Sequence, residues 1–148
     1  MDSPTLQAQA TDLVLPTFDE GIAWQLGMAL VALAQAGHLP IVINIRTANR
    51  TLFHAALPGS AALNDAWARR KSNTALMFGE ASFLVGTRNR EKGETLARHG
   101  LDPADYADNG GAVPIVTAGG VVAVCTVSGL PQAEDHALVV RAILQIKG

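Results

Sequence analysis

Apolar residues recur at helical spacing after residue 20, where Ile22, Leu26, Ala29, Leu30 and Leu33 share one side of a helix running to about Ala36. Thr17-Phe18-Asp19-Glu20 reads as a capping box, with Thr17 as the cap and Glu20 three residues on. Gly37 suits a left-handed stop, and Pro40 prevents continuation. The period then changes to two. Ile41, Ile43 and Ile45 alternate with Val42, Asn44 and Arg46, which predicts a strand with one apolar face. Thr47–Arg50 reads as a hairpin loop leading to a partner strand over about Thr51–Ala55. A helix is expected from Asn64 or Asp65, either of which could cap it, to Phe78. A second follows over about Ser82–Arg98, ending at Gly100, although Gly86 and Gly93 weaken it. Asn109-Gly110-Gly111 marks a turn before a strand at Val113–Thr117, and Gly119-Gly120 signals a hairpin. Val121–Val127 is almost wholly apolar and predicts a central strand covered on both faces. The last helix spans about Ala133–Ile146, with Glu134 and Asp135 at its positive end.

The order is helix, hairpin, two helices, hairpin, helix. Strands joined by short turns pair antiparallel, so the pattern predicts an α+β domain rather than a doubly wound parallel sheet. At 148 residues the chain is a single domain, 1–148, with polar, aperiodic residues 1–11 expected to form a flexible tail.

Composition adds a second conclusion. Hydrophobic residues make up 49% of the chain and charged residues 16%, against about 25% charge in a typical soluble domain. So few charges cover a lone monomer poorly, and a homo-oligomer, dimer or larger, fits better. The last helix points the same way. Val139, Ala142, Ile143 and Ile146 form its core arc, while Leu138 and Leu144 fall outside it on different flanks. Net charge is −2, which argues against a nucleic-acid partner. No signal peptide or membrane-length apolar run is present, so a cytoplasmic location without membrane attachment is expected. Cys125 is the single cysteine and reads as an inert core residue, with Met28 and Met77 as core fillers.

Chemistry concentrates in two places. On the helix after Asn64, Trp67, Lys71, Thr74 and Phe78 fall within about 60° of one another, so Lys71 shares a face with two aromatics. Lys71, with Arg69 or Arg70 nearby, could hold an anion. Equally, its stem could lie on Trp67 with the ammonium in water, or the ammonium could pair with an internal acid. The second place is Ser128–His136, joining a buried strand to a helix N-terminus, where anions bind readily. The G-x-S-x-G frame of a hydrolase elbow is absent around Ser128. Adjacent Asp135 and His136 point about 100° apart on a helix, so they do not form an orienting pair. His38, His54, His99 and His136 make no metal motif; His54 and His136 are the histidines worth testing as haem ligands.

Several strings together are distinctive: Leu57-Pro58-Gly59-Ser60, Asn64-Asp65-x-Trp67-x-x-Arg70-Lys71-x-Asn73-Thr74, Gly100-Leu101-Asp102-Pro103-x-Asp105-Tyr106-Ala107, Gly110-Gly111-Ala112-Val113-Pro114-Ile115, and Val127-Ser128-Gly129-Leu130-Pro131-Gln132-x-Glu134-Asp135-His136. They resemble an uncharacterised bacterial and fungal family within the GlcG/HbpS-like "haem-degrading" domain group. The resemblance implies a profilin-like three-layer α/β/α fold with a central antiparallel sheet of about five strands, assembled as a homo-oligomer. It also implies haem binding or slow haem degradation in some members, and accessory roles in glycolate or cobalamin metabolism, or in chaperone handling of tail-anchored proteins, in others. A shared fold does not transfer an activity. The leading expectation is therefore a small-molecule-binding protein for haem or a related anionic ligand, with Lys71, Arg70, Asn73, Trp67, His136 and Asp135 as the site. The alternatives are a haem-degrading or other oxidative enzyme, and an interaction module without a small ligand.

Overall fold

Alternation along β1 (Val42–Arg46) and β4 (Gly120–Ser128) sorts side chains into two unlike faces, and that sorting organises the molecule. The computed structural model describes residues 1–148. Strand β1 forms a hairpin with β2 (Thr51–Ala56), and β3 (Ala112–Thr117) forms one with β4. The hairpins join through antiparallel β1 and β4, giving a four-stranded sheet in the order β2-β1-β4-β3. The sheet thus has four strands where about five were implied, and β4 is central as its apolar run predicts, although it is covered on both faces only from Ala123 on, Val121 and Val122 being exposed.

One face is apolar. Ile43, Ile45, Phe53, Val113, Ile115, Ala123, Cys125 and Val127 pack with Leu26 and Leu30 of α2 (Glu20–Ala36) and Val139, Ala142 and Ile143 of α5 (Gln132–Lys147). Burial pushes the Cys125 thiol pKa up, which keeps it unreactive. The opposite face mixes polar side chains, such as Asn44, His54, Thr126 and Ser128, with buried apolar ones, such as Val42 and Val124. There α3 (Ala62–Phe78) lies across the sheet, with Ala75 on Ala112 and Val124, and the Ser72 and Thr126 hydroxyls 2.8 Å apart. Helix α4 (Ser82–Lys92) packs beside α3, so helices cover both faces of the sheet.

Several boundaries differ from expectation for identifiable reasons. Residues 1–11 are not a loose tail: α1 (Ser3–Asp12) is capped by Asp2, whose carboxylate accepts the Thr5 N–H at 3.0 Å, and buries Leu6 against Phe83 and Leu84. Asp2 followed by proline in the first turn was the available signal. Asp19, not Thr17, caps α2, accepting the Ile22 N–H at 2.8 Å. Helix α3 begins at Ala62, and Asn64 is not its cap but reaches back to accept the Ala61 N–H at 2.9 Å. Helix α4 stops at Gly93, which takes a left-handed conformation at φ 66, and a separate 3-10 turn covers Leu96–His99. Met28 and Met77 are surface residues, 47% and 54% exposed, rather than core fillers. Leu144 is exposed, whereas Leu138 packs against the core. No helix is long and apolar enough to cross a membrane.

Candidate functional site

Where β4 runs out, the chain turns through Gly129 and Leu130 into α5, and Lys71 of α3 reaches the same point from the mixed side of the sheet. Its ammonium donates to Asp135 Oδ2 at 3.1 Å and to the Val127 carbonyl at 3.4 Å. Both side chains are buried, at 5% and 1% exposure. The Asp135 carboxylate also accepts the Leu130 N–H at 2.9 Å and the Gly129 N–H at 3.4 Å, at the positive end of α5. Burial lowers the Lys71 pKa from its ordinary value and raises that of Asp135, and the attraction between them opposes both shifts. Gly111 makes room for the pair. At φ +140, a β-carbon there would stand 2.4 Å from the Val127 carbonyl oxygen and 2.9 Å from Lys71 Nζ. This is the internal acid–base pairing that the sequence left as one alternative for Lys71.

The pair borders a polar cavity of about 270 Å3, lined by Asn64, Trp67, Asn109, Ser128 and Gln132 as well as Lys71 and Asp135. Trp67 is therefore in the site, its indole backed by the Arg70 guanidinium 4.4 Å from the ring centroid. The other basic and amide groups of α3 turn elsewhere. Arg70 Nε donates to the Pro103 carbonyl at 2.8 Å, and Arg69 to the Ala104 carbonyl and Asp105 carboxylate at 2.9 and 3.1 Å. The Asn73 amide donates to the Asp105 carbonyl at 2.9 Å. These three side chains fasten the loop after the 3-10 turn; Asn73 and Arg70 are not among the groups around the Lys71 cavity. Asn64 and Asn109 also line the cavity, beyond the residues expected there: Asn64 lies seven residues before Lys71, two turns along the same face of α3, a spacing that could have found it, whereas no spacing ties Asn109 to Lys71.

His136 is also elsewhere. It follows Asp135 on α5 and points away from it, into an apolar cavity of about 150 Å3 beneath α1. Its Nε2 lies 2.7 Å from Gln9 Oε1, and its ring packs on Phe83 with centroids 5.1 Å apart. Desolvation pushes its pKa down to about 4, so the imidazole is neutral at pH 7. His54, on β2, is held on both sides: Asn44 Nδ2 lies 3.0 Å from Nδ1, and Nε2 lies 3.0 Å from Asp65 Oδ1.

A family model described as haem degrading protein HbpS-like matches residues 18–144. The chain belongs to this HbpS-like family. Among its relatives, UPF0303 protein SCO2848 of Streptomyces coelicolor is 50% identical over 145 residues, 97% of this chain and 92% of that protein. UPF0303 protein BTH_I2506 of Burkholderia thailandensis is 46% identical over 145 residues, 97% and 88% of the two chains. Among solved structures, that of the Ybr137w protein superposes with a TM-score of 0.92 at 31% identity, covering 100% of this chain and 89% of that one. The crystal structure of the PduOC–haem complex shares the fold at TM-score 0.72 and 22% identity, over 88% of this chain and 94% of that one.

The HbpS-like description raises haem, and the residues present test it. Pockets for drug-sized ligands run to about 300–1,000 Å3. The cavities at His136 and Lys71, at about 150 and 270 Å3, fall below that range, and a porphyrin exceeds both. Both nitrogens of His54 are engaged by protein groups. Within one chain, neither histidine singled out from the sequence offers a haem-sized site with a free nitrogen.

Proposed function

We propose that this HbpS-like protein binds a small polar molecule, a short-chain carboxylic or hydroxy acid, in the cavity over the Lys71–Asp135 pair. The observation that carries the reading is the combination at that point: a buried ammonium, amide and hydroxyl groups from Asn64, Asn109, Gln132 and Ser128, and an indole wall. Buried charge pairs beside a cavity are a recurrent mark of binding and catalytic sites. The Gln132 carbonyl is already used by the Gly110 N–H, at 2.9 Å, which leaves its amide N–H groups to donate. With the Lys71 ammonium they favour a ligand rich in acceptors. The cavity lies below the drug-sized range, which sets the ligand's scale.

Trp67 and Trp24 are the two tryptophans, and Trp24 lies on the surface at 60% exposure. In a Trp24→Phe protein, Trp67 fluorescence reports the cavity alone. Titration with a panel of C2–C6 hydroxy- and dicarboxylic acids is expected to give saturable quenching by at least one acid, weakened more than tenfold by Ser128→Ala combined with Asn109→Ala. Absence of saturation across the panel would refute the reading.

The family description supports haem as a second reading, and haemin is the second probe. A saturable Soret shift that survives both cavity substitutions would place haem outside the Lys71 cavity. Association with copies of itself is a further part of the proposal. It is supported by the uncharged outer surface of α2, where Trp24 and Met28 stand one turn apart and 60% and 47% exposed. Sedimentation velocity reads it directly, with Trp24→Glu expected to shift the protein toward monomer.

A further inference from the structure

The loop after the 3-10 turn is irregular, yet α3 grips it closely. Arg69, Arg70 and Asn73 hold residues 103–105, and the Ala107 N–H donates to the Arg70 carbonyl at 3.2 Å. Held in this way, the loop walls a cavity of about 280 Å3 against α3 and the 3-10 turn. Leu96, itself 8% exposed, and Leu101 supply apolar wall, and Tyr106 and Asn109 add polar groups. Two opposite charges also line it, Arg70 and Asp108, and no ion pair joins them. Arg70 uses its Nε on the Pro103 carbonyl and a face of its guanidinium on Trp67, which leaves its Nη groups without a protein acceptor. Asp108 Oδ2 accepts from the Asn89 amide at 2.9 Å, which leaves Oδ1 without a donor. These free atoms are open to solvent: the side-chain polar atoms that are both sealed and unpartnered are Asn44 Oδ1 and His136 Nδ1, and neither lines this cavity.

We infer that this cavity is a second ligand site, for a free α-amino acid with an apolar side chain, whose carboxylate is taken by Arg70, whose ammonium is taken by Asp108 and whose side chain lies on Leu96 and Leu101. The charges favour a zwitterion. An acid alone would meet Asp108, an amine alone would meet Arg70, and like charges repel. A guanidinium with free Nη groups matches a carboxylate in geometry as well as in charge. It is also fixed beforehand, by the Trp67 stack and the Pro103 carbonyl, so little ordering is left to be done on binding. The volume lies just under the range of about 300–1,000 Å3 for drug-sized ligands, which suits an amino acid. The inference goes beyond the reading at Lys71. Asn109 is common to the two cavities, but Trp67 and Lys71 line one and Arg70 and Asp108 the other.

L-Leucine is the probe. Isocaproate lacks its amine, isoamylamine lacks its carboxylate and glycine lacks its side chain. Each is titrated into isotope-labelled full-length protein and followed by NMR. Leucine is expected to shift the amides of Leu96, Leu101 and Tyr106 saturably, at least tenfold more tightly than any of the other three. Asp108→Asn, which keeps a carbonyl for the Asn89 amide, should weaken leucine at least tenfold without weakening isocaproate. Arg70→Gln should weaken both acids. No saturation by leucine, shifts confined to other surfaces, or an Asp108→Asn protein that binds leucine as the parent does would overturn the inference. Should the variants fail to fold, the ranking on the unmodified protein decides by itself: isocaproate, isoamylamine or glycine binding as tightly as leucine refutes the assignment.

Discussion

Replacing Asp135 by asparagine keeps the shape of the site and removes its negative charge. The Lys71 ammonium is then left at 5% exposure with the Val127 carbonyl 3.4 Å away as its remaining acceptor. Breaking a buried pair by removing one partner costs about 3–5 kcal/mol. Asp135→Asn belongs at the upper end, because the amide keeps the Leu130 N–H as donor but offers nothing to offset the ammonium charge. Lys71→Met belongs at or below the lower end, since the carboxylate retains the Leu130 and Gly129 N–H donors at 2.9 and 3.4 Å. Against a total stability of about 5–15 kcal/mol, the asparagine variant loses a large share of the whole. At about 2–4 °C per kcal/mol for a chain of this size, its melting temperature falls by about 10–20 °C. The loss depends on pH in a fixed direction. Burial holds the folded-state pKa of Lys71 below its ordinary 10.5. The unfolded chain therefore keeps a proton that the folded one gives up, and the penalty in Asp135→Asn shrinks as pH rises toward 10.5. Urea unfolding followed by far-ultraviolet circular dichroism, at an unchanged m value, measures each cost. The double variant Lys71→Met/Asp135→Asn should be more stable than Asp135→Asn alone, because the stranded ammonium is gone. An Asp135→Asn protein within 1 kcal/mol of the parent, or a double variant less stable than the sum of the two singles, refutes the account.

Three further outcomes follow from the same kind of reasoning. The His136 pKa falls from 6.5 to about 4 on folding, so stability is full above pH 6.5 and about 3 kcal/mol of it is lost as pH falls through about 4, at 1.36 kcal/mol per unit; urea midpoints at pH 7, 5.5 and 4 should track this, and a His136→Phe protein should lose less over the same range. Gly111→Ala puts a β-carbon 2.4 Å from the Val127 carbonyl oxygen in a left-handed conformation; a loss of about 1–3 kcal/mol or more is expected in chemical denaturation. Asp19→Ala removes the α2 cap, worth about 1 kcal/mol, whereas Thr17→Ala should stay within about 0.5 kcal/mol; calorimetry of the two variants side by side separates the assignments.

Periodicity made α2, both hairpins and α5 legible, because each carries an uninterrupted apolar stripe or alternation bounded by glycine or proline. Helix α1 escaped because its one buried residue is Leu6, too little for a periodic signal. Helix α4 was overextended because the left-handed turn at Gly93 arrives before the polar spacing of residues 94–98 stops looking helical. The site was legible in part. Trp67, Lys71 and Asp135 do border one cavity, but Lys71 and Asp135 are 64 residues apart, and spacing carries no information at that range. Arg70 and Asn73 looked like members through nearness in sequence, yet on a helix neighbouring positions point about 100° apart, and theirs lead to the 103–105 loop. The same geometry separates Asp135 from His136. The residues that carry the resemblance include both, which is why the sequence alone merged two cavities into one.

The two faces of the sheet imply different tolerance to change. Beneath α2 and α5, apolar side chains meet only one another, so volume-conserving exchanges such as Ile43→Leu or Leu30→Met can be absorbed by repacking neighbours. Beneath α3, Ser72, Thr126, Lys71, Asn44 and His54 each hold a named partner, so a substitution leaves a second group unpaired. A library randomised over both faces would therefore recover many sequences for one and few for the other. The short list from the α3 side would read out, residue by residue, which contacts this molecule cannot do without.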